Sequence, residues 1–302
     1  MDIYNSNFDF NMYRAFYAVA EFNSFSKAAK ALSVTQPAIS YLIKKLEDTM
    51  DTTLFIRSNK KVLLTEEGSK LKFYIEMAFN NIITGYKVLK ESKDVLSGEI
   101  SIGIHSNIGT FFLPKYIKQF TNMNPDVKIT IFSSRSAEMK EKLRNGSLDI
   151  LIYRYPIGMD SNFIEQKLFS SESCFFTNKN YYDSFIQIKK QKLLVTFPLL
   201  LPMKGFVTSE VLEKVFKDNN MILSSNIYLY TTEMMISLVK EGVGIGWTLR
   251  DSIKEELKNG DLYEIPLDID LPKFEYSVAY NTIFINNSAK KFIEFLLKKS
   301  VQ

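Results

Sequence analysis

The chain is poor in the residues that disulfides, metal sites and nucleophilic catalysis draw on. Its 302 residues hold one cysteine, Cys174, and one histidine, His105. A lone cysteine closes no intrachain disulfide, which fits a reducing, cytoplasmic setting. One Cys and one His also argue against a zinc site of the usual Cys/His kind, so no metal and no cofactor is expected. No nucleophile motif or glycine-rich phosphate loop accompanies His105, which argues against an enzyme and leaves that residue as a structural or pocket group. Long hydrophobic runs are missing too. The longest, "LLVTFPLLLPM" over 193–203, contains proline and falls far short of the roughly 20 residues of a membrane helix. The opening "MDIYNSNFDF" has an acid and no basic segment ahead of an apolar core, so neither an export signal nor a membrane partner is expected. Arginine is scarce, six among 38 basic residues, and the net charge is only +4. Attraction to a polyanion would therefore have to come from local clusters rather than from the field of the whole molecule.

Against these absences stands an ordinary globular composition, 46% hydrophobic and 24% charged, long enough for two or three domains. The most informative stretch is "SFSKAAKALSVTQPAISYLIKKLE", Ser24 to Glu47. Ser24 suits an N-cap, and Ala28 and Ala29 are strong helix formers that let a second helix approach closely. The pattern breaks at "SVT". Ser33 and Gln36 have the spacing of a capping box, with Thr35 as a second candidate cap. Pro37 costs little in a first turn, where N–H groups lack intrahelical partners. Ala38, Ile39, Leu42, Ile43 and Leu46 then recur at helical spacing, leaving Gln36, Ser40, Tyr41, Lys44 and Lys45 largely on the other side. Two short helices with a tight turn and a polar outer face describe a helix-turn-helix, although the pair alone also fits an ordinary solvated surface. Next, "LFIRSNKKVLLT" reads as two short strands around the turn "SNKK", a wing on which Arg57, Lys60 and Lys61 cluster and could neutralise phosphates, with a hairpin of solvated tip as the alternative.

On these residues the family becomes visible. Phe10 to Gly68 resembles the N-terminal domain of LysR-type transcriptional regulators. The resemblance lies in Met12 and Phe16, Ser24-Phe25, Ala28-Ala29, "SVTQPAIS", "LIKKLE", "LFIR" and "LLTEEG", in the family's order and spacing over about sixty residues. It implies a winged helix-turn-helix over residues 1–65, a linker helix over 66–97 that pairs between protomers, and an effector-sensing region over 98–302. The expected partners are double-stranded operator DNA, a small-molecule effector with carboxylate as one candidate class, and a second copy of the chain. A homotetramer is the expected larger assembly, and RNA polymerase is admitted as a further partner. DNA contacts are expected from Ser33, Thr35, Gln36, Pro37, Ser40, Tyr41, Lys44, Arg57, Lys60 and Lys61.

The residues beyond the wing can be read independently. Thr65 suits an N-cap, and Glu66 and Glu67 suit the positive end of a helix. Leu71, Ile75, Ala78, Ile82, Gly85, Leu89 and Leu96 fall on a and d heptad positions, a seam weakened at Gly85 and at Ser92. Packing of this face within its own domain is the alternative to pairing. After "SGE", strand and helix patterns alternate to the end, which argues for an α/β region with a mostly parallel sheet. The overall expectation is an α plus α/β chain. Its C-terminal part should be a periplasmic-binding-protein-like pair of subdomains, about 98–165 with 268–302, and about 166–267. Ligands of open α/β sheets sit beyond the carboxyl ends of strands, often at helix N-termini. That rule selects Ser106, Asn107, Ser133, Ser134, Phe206, Thr208, Thr231 and Thr232, with Arg135 beside them; the Ser and Thr residues would equally serve as plain caps. Trp247 and Arg250 depart from the family's usual continuation after "EGVGIG". Two other functions compete: a solute-binding protein or enzyme on the same cleft, and a DNA-binding protein that ignores small molecules. The first leaves the winged segment unexplained. The second leaves some two hundred residues without a role.

Overall fold

Capping decides where the first three helices begin and end. In α1 (Phe10–Phe22), Asp9 takes the N-cap and its carboxylate accepts from the Asn11 N–H; Asn23, in the left-handed region at φ 48°, closes the helix. In α2 (Phe25–Ala31), Ser24 accepts from the Lys27 N–H at 3.3 Å. In α3 (Gln36–Met50), Thr35 is the N-cap, accepts from the Ala38 N–H, and is followed by Pro37 in the first turn. The Ser33–Gln36 capping box does not form. Ser33 has φ 56° just past α2, and the Gln36 amide oxygen accepts instead from the Ser26 hydroxyl at 2.8 Å.

The computed structural model describes residues 8–58, 61–90, 96–187 and 197–300. These described residues fall into two compact units, those within 1–90 together with 141–147, and those within 91–140 and 148–302. In the first, Met12, Phe16 and Val19 of α1 meet Ala28 of α2 and Ile39, Ile43 and Leu46 of α3, all essentially without exposure. Each large side chain so buried is worth about 1.5–3 kcal/mol. The Glu47 carboxylate accepts from the Leu54 and Phe55 N–H groups at 2.7 and 3.3 Å, which ties α3 to the wing. There β1 (Phe55–Ser58) pairs antiparallel with β2 (Lys61–Leu64), with Ser58 opposite Lys61. The strands thus reach further into "SNKK" than its polarity suggests; Asn59 and Lys60 lie outside the described residues.

In α4 (Glu66–Lys90), Thr65 caps as expected, accepting from the Gly68 N–H at 2.9 Å while donating to the Thr53 carbonyl. The heptad seam divides. Ile75 is buried in the helix-turn-helix core, with Leu71 and Phe79 packed against it. Ala78, Ile82 and Gly85 are exposed, and so are Tyr74, Ile83 and Tyr86. Leu96 is not a seam residue, because it packs against the core of the second unit. Ser92 falls outside the described residues.

The second unit is a nine-stranded sheet flanked by helices. Its first part runs β3 (Gly98–Ile104), α5 (Ser106–Met123), β4 (Val127–Phe132), α6 (Ser136–Arg144) and β5 (Ile150–Arg154). A long strand, β6 (Phe163–Thr177), leads on to α7 (Lys179–Gln187), β7 (Leu199–Pro202), α8 (Val207–Asp218), β8 (Ile227–Leu229), α9 (Thr232–Lys240) and β9 (Ile245–Leu249). A 3-10 turn (Arg250–Ile253), α10 (Lys254–Asn259), β10 (Tyr263–Ile265), β11 (Lys273–Asn281) and α11 (Asn287–Ser300) complete it. The strand order is β4-β3-β5-β11-β6-β9-β7-β8, with β10 on β6.

The sheet is mixed rather than mostly parallel. Strands joined by helical crossovers are parallel, β3 with β4 and β5, and β7 with β8 and β9. The centre is antiparallel, because β11 pairs antiparallel with both β5 and β6, and β6 likewise with β9. Parallel pairing needs a crossover between strands, and no such helix joins these central neighbours directly. Asp149 pins the first half: its carboxylate accepts from the Ser101 N–H and hydroxyl at 2.7 and 2.6 Å and from the Asn286 amide at 2.9 Å.

Gly68 is required by close approach: a Cβ there would lie 2.3 Å from the Leu54 carbonyl oxygen, a backbone atom. Gly68→Ala is expected to lower the stability of the first unit by about 1–3 kcal/mol, as overpacking does. A melting temperature equal to that of the unaltered chain would show that the wing and α4 are not in contact there.

Candidate functional site

Burial of Ile39, Ile43 and Leu46 turns the opposite side of α3 outward. Ser33, Thr35, Gln36, Pro37, Tyr41 and Lys44 are exposed and Ser40 is half-buried. Gln36, Pro37, Ser40, Tyr41 and Lys44 follow the helical repeat and form one row. The acids of α3, Glu47 and Asp48, sit toward its C-terminal end, so the row starts at the positive end of the helix dipole with no acid beside it. Arg57 and Lys61 lie on the paired wing strands; Lys60 lies outside the described residues.

In the second unit a cavity of about 330 Å³ opens at the carboxyl ends of the parallel strands. Ser106, Asn107, Phe206, Thr208, Thr231 and Thr232 line it, and so does Arg135. Ser133 and Ser134 do not. The Ser133 hydroxyl accepts from the Ser106 N–H at 3.1 Å, supporting the cavity rim from behind. The Ser134 hydroxyl bonds the Glu138 carboxylate. Thr208 is in the first turn of α8 rather than its cap, which is Phe206 and makes no side-chain hydrogen bond. Thr231 does cap α9, accepting from the Met234 N–H.

The wall also holds His105, Ser136, Tyr153, Arg154, Tyr230, Met235 and Tyr276. Tyr153 and Arg154 end the strand β5, so the strand-end rule applied to "LDILIYR" selects them; Tyr276, from the middle of β11, carries no such signal. His105 Nε2 lies 3.4 Å from the Ser136 hydroxyl, which lies 2.7 Å from the Tyr153 hydroxyl. Burial lowers the His105 pKa below its ordinary 6.5, so the imidazole is neutral at pH 7. Arg135 and Arg154 make no ion pair among the described residues, and no Asp or Glu lines the cavity. The lining thus combines two guanidinium groups, several hydroxyls and aromatic walls, a set that can hold an anion with an apolar body.

The residues that depart from the family pattern are elsewhere. Arg250 pairs with Glu264 at 2.6 Å. Trp247 is buried in the core, 6.2 Å from the Phe274 ring. Cys174 is buried on β6, and that burial pushes its pKa to about 12, so the thiol stays protonated and unreactive.

Residues 10–69 match the model of bacterial regulatory helix-turn-helix proteins of the lysR family, and residues 93–300 match that of the LysR substrate binding domain. The chain belongs to the LysR family of transcriptional regulators. It is similar to the HTH-type transcriptional regulator CitR of Bacillus subtilis, with 24% identity over 95% of this chain and 98% of the relative. Its fold is that of full-length family structures. A full-length OxyR variant of Pseudomonas aeruginosa has a TM-score of 0.71 at 20% identity, covering 97% of this chain and 94% of the other. Full-length CbnR complexed with its target DNA has a TM-score of 0.68 at 16% identity, covering 97% and 100%. These families and relatives are regulators rather than enzymes. Among the described residues no helix is long and apolar enough to cross a membrane.

The neutral His105 sets a pH dependence. Its folded pKa is below the unfolded value, so the unfolded chain takes up the proton first as pH falls. Stability is full above about pH 6.5 and is lost as pH falls through the lower folded value. Melting scans of the protein should therefore decline between pH 7 and 5 more than those of His105→Asn. Parallel declines would mean that His105 stays solvated.

Proposed function

We propose that the chain is a dimeric, cytoplasmic regulator that binds operator DNA through α3 and the wing and answers to a small anionic effector in the cavity of its second unit. The observation that carries the DNA reading is the exposed row of α3, held outward by a buried apolar row. Gln36 and Ser40 are the candidate base readers, since Gln can pair bidentately with adenine in the major groove. Pro37 fixes the helix start beside them and offers an apolar contact to a thymine methyl. Lys44 and the basic wing residues Arg57, Lys60 and Lys61 serve phosphates, Tyr41 lies within the row, and Ser33 and Thr35 precede it. The CbnR structure holds target DNA, which supports the same use of this domain. The exposed part of α4, with Ile82 and Ile83, supports pairing between protomers into a dimer that presents two recognition helices to two half-sites. A tetramer and contact with RNA polymerase at the promoter extend that reading.

Base and phosphate contacts fail differently. Gln36→Ala should cost about 1–3 kcal/mol on the operator and flatten its preference over scrambled DNA, whereas Lys44→Ala should weaken both alike and reduce the salt slope by about 1. Titrations of both DNAs at several salt concentrations measure this; an unchanged specificity ratio in Gln36→Ala would place the wrong face of α3 against the bases.

The effector reading rests on Arg135 and Arg154, which make no ion pair among the described residues and line the same cavity as Ser106 and Thr232. Small carboxylates and phosphate esters, screened by thermal shift, are the ligands that this lining recognises. For a compound that raises the melting temperature, Thr232→Ala should weaken affinity several-fold, about 1 kcal/mol for one hydrogen bond, and Arg154→Met should weaken it more. Basal operator binding should be untouched. Full affinity in both variants would put the ligand elsewhere.

A further inference from the structure

The turn between α2 and α3 brings together two exposed polar side chains ten positions apart. Ser26 is on the first turn of α2 and Gln36 is the first residue of α3. The Ser26 hydroxyl donates to Gln36 Oε1 at 2.8 Å. Neither side chain is needed for capping: Ser24 caps α2 and Thr35 caps α3. Neither is buried, so the bond is not explained by a need to satisfy a polar group out of water. What it does is orient an amide. A Gln side chain on a helix surface has three rotatable bonds and two amide flips, and ordering it costs entropy when it meets a partner. Here the oxygen is turned toward α2, which leaves both Nε2 donors and the second lone pair of Oε1 available.

We infer that Ser26 is a positioning residue for base reading: by holding the Gln36 amide, it presets the side-chain rotamer from which the amide head reads a base edge. This rests on α3 being the recognition helix. From that position Nε2 can donate to adenine N7 while the free lone pair of Oε1 accepts from adenine N6, the bidentate pairing that Gln makes in the major groove. A hydroxyl donating to the same oxygen leaves that geometry intact and holds the amide head in one place; because a hydroxyl also accepts, it is the position of the amide that Ser26 fixes rather than the choice of flip. Ser26 thus acts on sequence preference through Gln36, without itself touching a base. Immobilising one rotamer-rich side chain before binding is worth about three- to ten-fold in affinity, and the gain applies to the base pair that Gln36 reads.

The test uses the full-length protein and a pool of random-sequence duplexes. Selection with the unaltered chain gives its preferred site, and selection with Gln36→Ala marks the base pair whose preference depends on Gln36. Ser26→Ala should weaken the preference at that base pair by about three- to ten-fold. Preferences at the other positions, the salt slope and the melting temperature should not change. Ser26→Thr, which keeps the hydroxyl, should restore the preference. A purely structural role would lower the melting temperature and weaken every position together, and a phosphate contact by Ser26 would weaken all sequences alike; either pattern would overturn the inference, as would a Ser26→Ala profile identical to that of the unaltered chain. A chain that selects no sequence at all would overturn the DNA reading and this inference with it, and is told apart from the other failures by the first selection alone.

Discussion

The antiparallel pairing of β6 with β11 is the constraint on which the larger unit depends. These two strands run side by side from Glu172 opposite Lys273 to Phe163 opposite Asn281. On one side β11 holds β5 and through it β3 and β4; on the other β6 holds β9 and through it β7 and β8. Each parallel triple is a small α/β layer with an open edge. Only the shared central pair makes them one sheet, and so sets the carboxyl ends of β3 and β5 against those of β7 and β8. The cavity is a product of that pairing. Its wall includes Tyr276 of β11, whose ring stacks at 4.9 Å on Phe169 of β6, which in turn stacks at 4.2 Å on Phe112 of α5. The register shifts between Tyr276 and Ser277, so the strand that joins the layers is irregular where it meets the cavity.

The smaller unit works by a different economy. Its exposed polar face exists because Ile39, Ile43 and Leu46 on the other side of α3 are buried, and Glu47 holds the wing to the end of the same helix. Small side chains matter as much as large ones. Ala28 lets α2 approach, and Gly68 lets the Leu54 carbonyl pass over the first turn of α4. The result is an exposed polar row on a helix whose other face is buried, with Gln36 at its start held by the Ser26 hydroxyl.

The linker helix shows how one periodic signal serves two purposes. Its heptad pattern is continuous in the sequence, yet Leu71 and Ile75 are used within the helix-turn-helix core and Ile82 is left exposed. An apolar row says only that something will cover it. α4 is within reach of α1 as far as its middle, where Tyr17 meets Phe79 at 5.4 Å; three-dimensional proximity, not the period, selects which residues are covered internally.

What the sequence by itself determined was local. Caps at Ser24, Thr35 and Thr65, the apolar row of α3, the wing strands and the alternation of strands with helices all follow from neighbours within a few residues, where propensity and periodicity act. Six of the cleft residues, Ser106, Asn107, Phe206, Thr208, Thr231 and Thr232, were legible for the same reason, since each follows directly on a strand end or opens a helix. What only the tertiary structure decided was which distant residues meet. The Gln36 amide turned to Ser26 rather than to a capping box, because the α2–α3 angle brought a hydroxyl within reach. Ser133 and Ser134 follow a strand end yet stay off the cavity wall, while Tyr276, from the middle of β11, is part of it. The strand pattern could not reveal an antiparallel centre, because pairing of β6 with β11 joins segments about a hundred residues apart. No local propensity encodes such a contact; it is settled by where the chain, once its layers have formed, can bury its remaining apolar surface and satisfy its remaining backbone groups.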